Sequence, residues 1–143
     1  MTPNIETPLP AAPLGRVLVI DYDPIILESM QVVLENYGLI VVTATGGRLG
    51  IDVFKDSLAA GPAFHIVITD LGMPTVDGRE VARSIKALSP TTPVIMLTGW
   101  GQRMVSDGDT PDHVDKVISK PPKPRELRAA IAELATHGVT PHP

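Results

Sequence analysis

Four polar residues, each at the end of a short apolar run, have the side chains that phosphoryl chemistry needs. They are two carboxylates, a hydroxyl and an ammonium: Asp21, Asp70, Thr98 and Lys120. Two carboxylates can hold a Mg²⁺ ion, which prefers oxygen ligands and keeps water molecules for a phosphate. A carboxylate can also attack phosphorus and form an acyl phosphate. A lysine can neutralise phosphoryl oxygens and a threonine can donate to them, so the set favours phosphoryl transfer.

Each of these residues alone has an ordinary structural explanation. An aspartate behind a strand is more often a turn former or a helix cap. Asp23, followed by Pro24, has the residue type and the position of a helix N-cap. A threonine can simply end a strand, and a lysine before a proline can be a solvated charge. The functional interpretation therefore requires that the fold bring the four residues together.

Five short apolar runs predict the strands of a parallel sheet. The first four are nearly continuous in apolar residues, which is typical of strands buried on both faces. Charged residues interrupt the fifth run, which favours an edge strand. The predicted strands are Val17–Ile20, Ile40–Thr43, Ile66–Thr69, Val94–Leu97 and Val114–Ile118.

Segments with helical periodicity alternate with these runs. Helices are predicted from Pro24 to Gly38, over 47–58, over 78–88 and from Lys123 onward, with at most a weak helix in the polar segment 101–112. This strict alternation predicts a doubly wound α/β sheet, whose ligands bind at the carboxyl ends of the strands. The residues assigned to the buried helix faces are Ile26, Met30, Val33, Leu34, Tyr37, Leu49, Val53, Phe54, Leu58, Val81, Ala82, Ile85, Leu88, Leu127, Ala130, Ile131 and Leu134.

Composition places these elements in one soluble domain. The chain has 143 residues, and Pro-rich ends predict disordered tails at 1–14 and 137–143 around a domain at 15–136. The net charge of −4 argues against nucleic-acid binding. The absence of cysteine excludes disulfides, a thiol nucleophile and Cys-based zinc sites. No apolar run approaches the roughly 20 residues that span a bilayer, and the start lacks a secretory signal pattern, so we expect no membrane contact and a cytoplasmic protein.

Four blocks of the sequence resemble the receiver domains of two-component response regulators. The resemblance covers about residues 15–136, and Asp70–Pro74 followed by Asp77 and Gly78 is a highly specific receiver signature. It implies a flavodoxin-like (βα)5 three-layer sandwich with parallel strand order 2-1-3-4-5 and a cis bond between Lys120 and Pro121. The last two blocks are also similar to the receivers of hybrid sensor histidine kinases. The blocks are VLVIDYDP, VITDLGMPTVDG, PVIMLTGWG and ISKPPKPRELRAAI.

The resemblance also implies a role for each strand-end residue. Asp70 would accept a phosphoryl group from a sensor histidine kinase or a histidine phosphotransfer domain. Thr98 would be the switch hydroxyl, and Lys120 would pair with the phosphoryl oxygens. Asp21, Asp70 and the backbone carbonyl of Gly72 would hold Mg²⁺. The protein would not be an enzyme, beyond slow hydrolysis of its own acyl phosphate.

Two positions depart from the family pattern and keep other interpretations open. Tyr22 stands where the family has its second acid, and a neutral phenol is a poor Mg²⁺ ligand. Val117 replaces the aromatic residue whose ring swings inward with the switch threonine. Both changes favour an alternative, a pseudo-receiver that binds partners without phosphorylation. A more remote alternative is a phosphatase of the haloacid dehalogenase type with Asp21 as nucleophile, although its acidic motif should follow the lysine.

Overall fold

The computed structural model describes residues 15–99 and 111–139. The strands are β1 (Gly15–Asp21), β2 (Leu39–Thr45), β3 (Ile66–Asp70), β4 (Val94–Thr98) and β5 (Lys116–Ser119). The helices are α1 (Pro24–Asn36), α2 (Gly47–Ala60), α3 (Gly78–Leu88) and α4 (Pro124–Val139). The predicted tail at 1–14 and most of the weakly helical segment predicted after Trp100 lie outside these residues. Helix α4 continues past residue 136, where the sequence predicts the domain to end.

The five strands form one parallel sheet in the order β2-β1-β3-β4-β5, which confirms the predicted fold class and strand order. Strand β5 lies at an edge of the sheet, as the charges in its sequence predict. Because β1 and β3 are neighbours, and β4 follows β3, the strands that carry the candidate site residues lie side by side.

Among residues 15–99 and 111–139, two helices pack against each face of the sheet, which gives three layers. Alternate residues of β1 point to opposite faces, as the two-residue period of a strand requires. Val17 and Val19 pack with α1 and α4, whereas Leu18 and Ile20 pack with α2 and α3. All four side chains are almost fully buried. This arrangement is the physical reason for the continuous apolar runs in the sequence.

Aspartate caps start two of the helices. The carboxylate of Asp23 accepts the backbone N–H of Ile25 at 2.9 Å, and Pro24 is the first helical residue of α1, as predicted. Asp77 accepts the N–H of Glu80 at 3.1 Å and starts α3. Both caps satisfy N–H groups that a helix start leaves without a partner.

Three leucines predicted on buried helix faces are exposed. Leu49 and Leu58 of α2 are 47% and 41% exposed, and Leu88 at the end of α3 is 39% exposed. Helix α2 approaches β1 through Gly50, where an added Cβ would lie 2.3 Å from Cδ1 of Ile20. Small residues therefore let α2 pack closely against the sheet, through a face that does not include Leu49 and Leu58. The buried residues of α2 are Gly47, Gly50, Ile51, Phe54 and Ser57.

The buried face of helix α1 is rotated slightly from the face that the sequence predicts. Leu27, which the pattern left out, is 5% exposed, and Met30 and Leu34 are buried as predicted. Ile26 and Tyr37 are only partly buried at the border of the same core. The apolar stripe of this helix is wide, so its period alone does not decide which edge faces the sheet.

Candidate functional site

The carboxyl ends of four neighbouring strands bring the predicted site residues to one edge of the sheet. Asp21 ends β1, Asp70 ends β3 and Thr98 ends β4, while Lys120 follows β5 directly. The backbone N–H of Lys120 donates to the carbonyl of Thr98 at 3.0 Å, which ties the end of β5 to the end of β4. Asp21, Asp70 and Thr98 are all buried.

Lys120 bridges the two carboxylates. Its Nζ lies 3.1 Å from Oδ1 of Asp70 and 3.3 Å from Oδ2 of Asp21. The Lys120 side chain is 22% exposed, whereas those of Asp70 and Asp21 are 9% and 2% exposed. The ammonium therefore reaches the site from its open side, and two acids from different strands share one cation.

The burial of this cluster sets its electrostatics. Burial raises the pKa of Asp70, and the neighbouring Asp21 charge adds to the rise, against the opposing effects of Lys120 and of the Gly72 N–H. Burial alone would lower the pKa of Lys120. The hydrogen bond to Asp70 and the charges of both acids outweigh that effect, so the pKa of Lys120 is raised. Lys120 thus keeps its proton at neutral pH, and the site opposes ionisation of Asp70 more than water does.

The loop after β3 is held tightly against the start of α3. The Leu71 N–H donates to the carbonyl of Leu97 at 2.9 Å, and the Gly78 N–H donates to the carbonyl of Leu71 at 2.8 Å. A Cβ at Gly78 would lie 2.4 Å from the carbonyl oxygen of Asp70. Only glycine allows this approach, which explains in physical terms why glycine follows Asp77 in the sequence pattern.

The donors at this edge suit a hard cation. Asp21 and Asp70 supply two carboxylates, and Mg²⁺ is commonly held by one or two carboxylates together with water and phosphate oxygens. Tyr22 is 61% exposed and adds no charge. Within residues 15–99 and 111–139, no group of three or more His, Asp or Glu could hold a metal ion. The two carboxylates therefore fit Mg²⁺, although Tyr22 adds no third negative charge to the site.

Two backbone N–H groups act on the site, and the residue types in the sequence do not predict them. The N–H of Asp23 donates to Oδ1 of Asp21 at 2.9 Å. The N–H of Gly72 acts on the carboxylate of Asp70 and lowers its pKa, against the effect of burial. Ligation of a metal by the Gly72 carbonyl stays a prediction. A turn directly after a strand end is the only sequence signal for such amides.

The remaining predicted positions have ordinary structural surroundings. The Asp23 carboxylate is used as the cap of α1. Val117 is partly buried in β5, where it pairs with Met96 of β4. The bond between Lys120 and Pro121 is cis, as the resemblance implies.

Comparison with known proteins identifies the class of this fold and site. Residues 17–132 match the family described as response regulator receiver domain, so the chain belongs to that family. Receiver domains are phosphoacceptor signalling modules of two-component systems and interact with histidine kinases or phosphotransfer partners. This membership decides against the haloacid dehalogenase alternative, and it leaves the receiver and pseudo-receiver interpretations.

Individual relatives support the same class. The chain is 29% identical over 131 residues to the alkaline phosphatase synthesis transcriptional regulatory protein SphR of Synechococcus elongatus, covering 89% of the chain and 51% of SphR. The chain thus spans about half the length of this relative.

Solved structures agree with this assignment. A receiver domain protein from Clostridium thermocellum has a TM-score of 0.77 and 29% identity, covering 86% of this chain and 95% of that one. The response regulator TrrA of Thermotoga maritima, in complex with Mg²⁺–BeF, has a TM-score of 0.71 and 28% identity, covering 83% and 97%. No helix in the described part of the chain is long and apolar enough to cross a membrane.

Proposed function

We propose that this chain accepts a phosphoryl group on Asp70 from a histidine kinase or a histidine phosphotransfer domain. One observation carries the proposal: Lys120 holds the buried Asp70 carboxylate at the same strand edge as Asp21 and Thr98. A nucleophilic carboxylate, a cation and a hydroxyl within one small site are the groups that phosphoryl transfer requires.

The proposed transfer uses the chain's own residues in a simple sequence. An oxygen of Asp70 attacks phosphorus, and the phosphorus–nitrogen bond of the donor phosphohistidine breaks as the acyl phosphate forms. The released imidazole nitrogen takes up a proton. Lys120 then pairs with a phosphoryl oxygen and the Thr98 hydroxyl donates to another, which stabilises charge that the buried site cannot solvate.

Mg²⁺ belongs to this proposal as the partner of the phosphoryl oxygens. Asp21, Asp70 and the carbonyl of Gly72 would hold it, and its charge would neutralise the transferring group. The related receiver TrrA is described in complex with Mg²⁺–BeF, which supports this assignment. The domain would act as a phosphoacceptor and, beyond slow hydrolysis of its own acyl phosphate, would not be an enzyme.

The proposed context is a cytoplasmic phosphorelay. Histidine kinases take their phosphoryl groups from ATP, which is in the cytoplasm, so we expect the receiver to meet its kinase there. We place the receiver unit at residues 15–139, with the Pro-rich segments on either side as linkers or tails, because α4 continues to Val139. The net charge of −4 favours protein partners over nucleic acid.

A titration with a phosphoryl analogue tests the proposal. We expect beryllofluoride with millimolar Mg²⁺ to shift the backbone amide resonances of Asp70, Gly72 and Thr98 in heteronuclear NMR spectra. The Asp70→Asn variant serves as the control, and its spectrum should not respond to beryllofluoride because a neutral carboxamide replaces the carboxylate that would bind beryllium. A folded wild-type protein whose spectrum does not respond to the analogue would contradict phosphoacceptor function.

The second candidate is a pseudo-receiver that docks partners without phosphorylation. Tyr22, which is exposed where the family has an acid, is the observation in its favour. The Tyr22→Asp variant separates the candidates, because it adds the missing carboxylate without touching Asp70. If wild type binds neither Mg²⁺ nor the analogue and Tyr22→Asp binds both, the pseudo-receiver is the better description.

A further inference from the structure

Strand β2 forms one edge of the sheet and carries none of the features that usually protect such an edge. Its seven residues, Leu39–Thr45, include no charged residue, proline or glycine, and each pairs with one residue of β1, so the strand has no bulge. Among residues 15–99 and 111–139, β1 is the only strand that pairs with β2. Exposed strand edges are usually blocked by charges, prolines, bulges or a short length. The outer edge of β2 is therefore open to a further strand, whereas the other edge strand, β5, has only four residues and includes Lys116.

Apolar side chains lie along this edge on the α2 side of the sheet. Val42 is in register with Leu18, which packs with α2 and α3, so Val42 lies on the same face. Ile40 is two residues earlier and shares that face, because side chains alternate along a strand. Ile40 is 42% exposed and Val42 is partly buried.

The flank of α2 beside β2 is apolar as well. Gly47 marks the opposite flank, since a Cβ there would meet Val76 in the loop before α3. Leu49 and Val53 are about one helical turn apart and lie on the flank toward β2. Leu49 is 47% exposed and Val53 is partly buried. Together with the exposed residues of β2, they form an apolar strip along the edge.

Acidic side chains border the edge on the α1 side. Ile26 and Val33 line the groove between α1 and the loop that leads into α4. Glu28 and Glu35 are exposed and lie on the opposite flank of α1, toward β2. No lysine or arginine occurs between residues 16 and 48, so nothing in β2 or α1 balances these charges.

This charge distribution decides which kind of strand fits the edge. Pairing of β2 with β2 of a second copy about a two-fold axis would bring the acidic flanks of the two α1 helices together. Like charges across an interface oppose association, and opposite charges favour it. The edge therefore suits a basic segment better than a second copy of the chain.

We propose that β2 accepts an extended, basic segment of a protein partner as an additional strand. Main-chain hydrogen bonds to the outer side of β2 provide the pairing, and alternate apolar side chains of the segment cover Ile40 and Val42. Basic residues of the segment lie beside Glu28 and Glu35. This surface is at the opposite edge of the sheet from β5, and its use does not depend on phosphorylation of Asp70.

Titration with a synthetic peptide tests the proposal in heteronuclear NMR spectra of the full chain. The peptide has alternating valine and threonine between lysines at its two ends. We expect it to shift the backbone amide resonances of Leu39–Thr45 and to slow their hydrogen exchange, while those of Lys116–Ser119 stay unchanged. A peptide with the same centre and glutamates at its ends should bind roughly tenfold more weakly or not at all.

A charge placed on the edge provides the matched pair of variants. Ile40→Lys should weaken binding of the lysine peptide by roughly threefold or more, because like charges then lie opposite each other on the paired strands. Leu58→Lys is the control, since Leu58 is 41% exposed but lies on the Gly47 flank of α2. Its affinity should stay within about twofold of wild type. If Ile40→Lys does not fold, Thr45→Lys places the same charge at an exposed end of β2.

Removal of the acids tests the choice of a basic partner. The double variant Glu28→Gln and Glu35→Gln should bind the lysine peptide roughly threefold or more weakly and should lose the preference for it over the glutamate peptide. Glu126→Gln, at an exposed position of α4, should behave like wild type.

Equal binding of the two peptides to wild type, or unchanged affinity in the folded edge variants, would overturn the inference. So would β2 amide resonances that shift with protein concentration when no peptide is present, because they would show a second copy at the edge. These measurements need neither Mg²⁺ nor a phosphodonor. A chain that is never phosphorylated can therefore still support the inference, and a phosphorylated chain that does not bind the lysine peptide refutes it.

Discussion

Asp70 is a buried acid whose charge is only partly balanced. Its carboxylate contacts one ammonium, which it shares with Asp21, and the Gly72 N–H adds a smaller favourable effect. Because burial outweighs the bond to Lys120 and raises the pKa of Asp70, ionisation of this side chain costs the folded state free energy. The cost is consistent with a residue retained for its reactivity.

This cost gives a prediction for the pH dependence of stability. Because the pKa of Asp70 is raised above 3.8, the folded protein binds more protons than the unfolded chain between pH 3.8 and the folded pKa. The contribution of Asp70 to the free energy of unfolding therefore falls as the pH rises through this window. We expect metal-free Asp70→Asn to be more stable than wild type at neutral pH and to lose this advantage below pH 3.8.

Urea unfolding at a series of pH values without divalent metals measures this difference. A variant less stable than wild type at neutral pH would mean that the bond to Lys120 outweighs the cost of burial.

At the residue scale, much of the candidate site could be predicted from the sequence. Asp21, Asp70 and Lys120 each follow an apolar run, and the carboxyl ends of parallel strands meet at one edge. The bridging position of Lys120 could not be predicted, because it depends on how a long side chain crosses between two acids. The contributions of the Asp23 and Gly72 amides could not be predicted either, because every residue except proline has an N–H.

At the scale of elements, the cap of α1 separates two possible uses of Asp23. Its carboxylate bonds to the Ile25 N–H and is exposed, so we assign it to the helix and not to a metal. Asp23→Ala should lose about 1 kcal/mol of stability, whereas Asp23→Ser, which keeps a capping oxygen, should lose little. Chemical denaturation measures both values.

The same pair of variants should leave the Mg²⁺ affinity unchanged, with Asp21→Asn as the positive control for its loss. If Asp23→Ser keeps its stability but loses metal affinity as Asp21→Asn does, Asp23 is a ligand and the capping assignment is incomplete.

The start of α2 packs against the loop that follows Asp70. A Cβ at Gly47 would lie 2.4 Å from the backbone carbonyl oxygen of Val76. Gly47→Ala should therefore lose about 1–3 kcal/mol of stability through overpacking, despite the higher helix propensity of alanine. Gly72→Ala is the matched control, because nothing lies within 4 Å of the Cβ it would add.

Thermal and urea unfolding of the two variants check this contact. Equal stability of Gly47→Ala and Gly72→Ala would show that the loop yields easily and that α2 does not support it.

The strands could be predicted to within a few residues, because short continuous apolar runs bounded by polar segments are typical of buried strands. The buried face of α2 could not be predicted. Leu49 and Leu58 mark one stripe, but close packing at Gly47 and Gly50 selects another. A hydrophobic period reports where apolar residues lie, and it does not report where a missing side chain lets two elements approach.

At the scale of the whole molecule, one sheet links the two hydrophobic cores. Leu34 lies in the core formed with α1 and α4, and Ile85 lies in the core formed with α2 and α3. Both are fully buried. Since the strands contribute alternate residues to the two cores, loss of either core should remove the support of the same sheet.

We therefore expect Leu34→Ala and Ile85→Ala each to lose about 2–5 kcal/mol of stability and to unfold in a single cooperative transition. Circular dichroism and NMR signals from both faces should report the same midpoint. Loss of one face at a lower denaturant concentration than the other would show two independent folding units.

The central claim is that Asp70 accepts a phosphoryl group, and intact-protein mass spectrometry after incubation with a small phosphodonor and Mg²⁺ tests it most directly. Wild type should gain the mass of one phosphoryl group. Asp70→Asn should gain none, and Asp77→Asn, which alters an acid of the neighbouring helix cap, should be modified like wild type. A folded wild-type protein that gains no mass, or an Asp70→Asn variant that still does, would contradict the account.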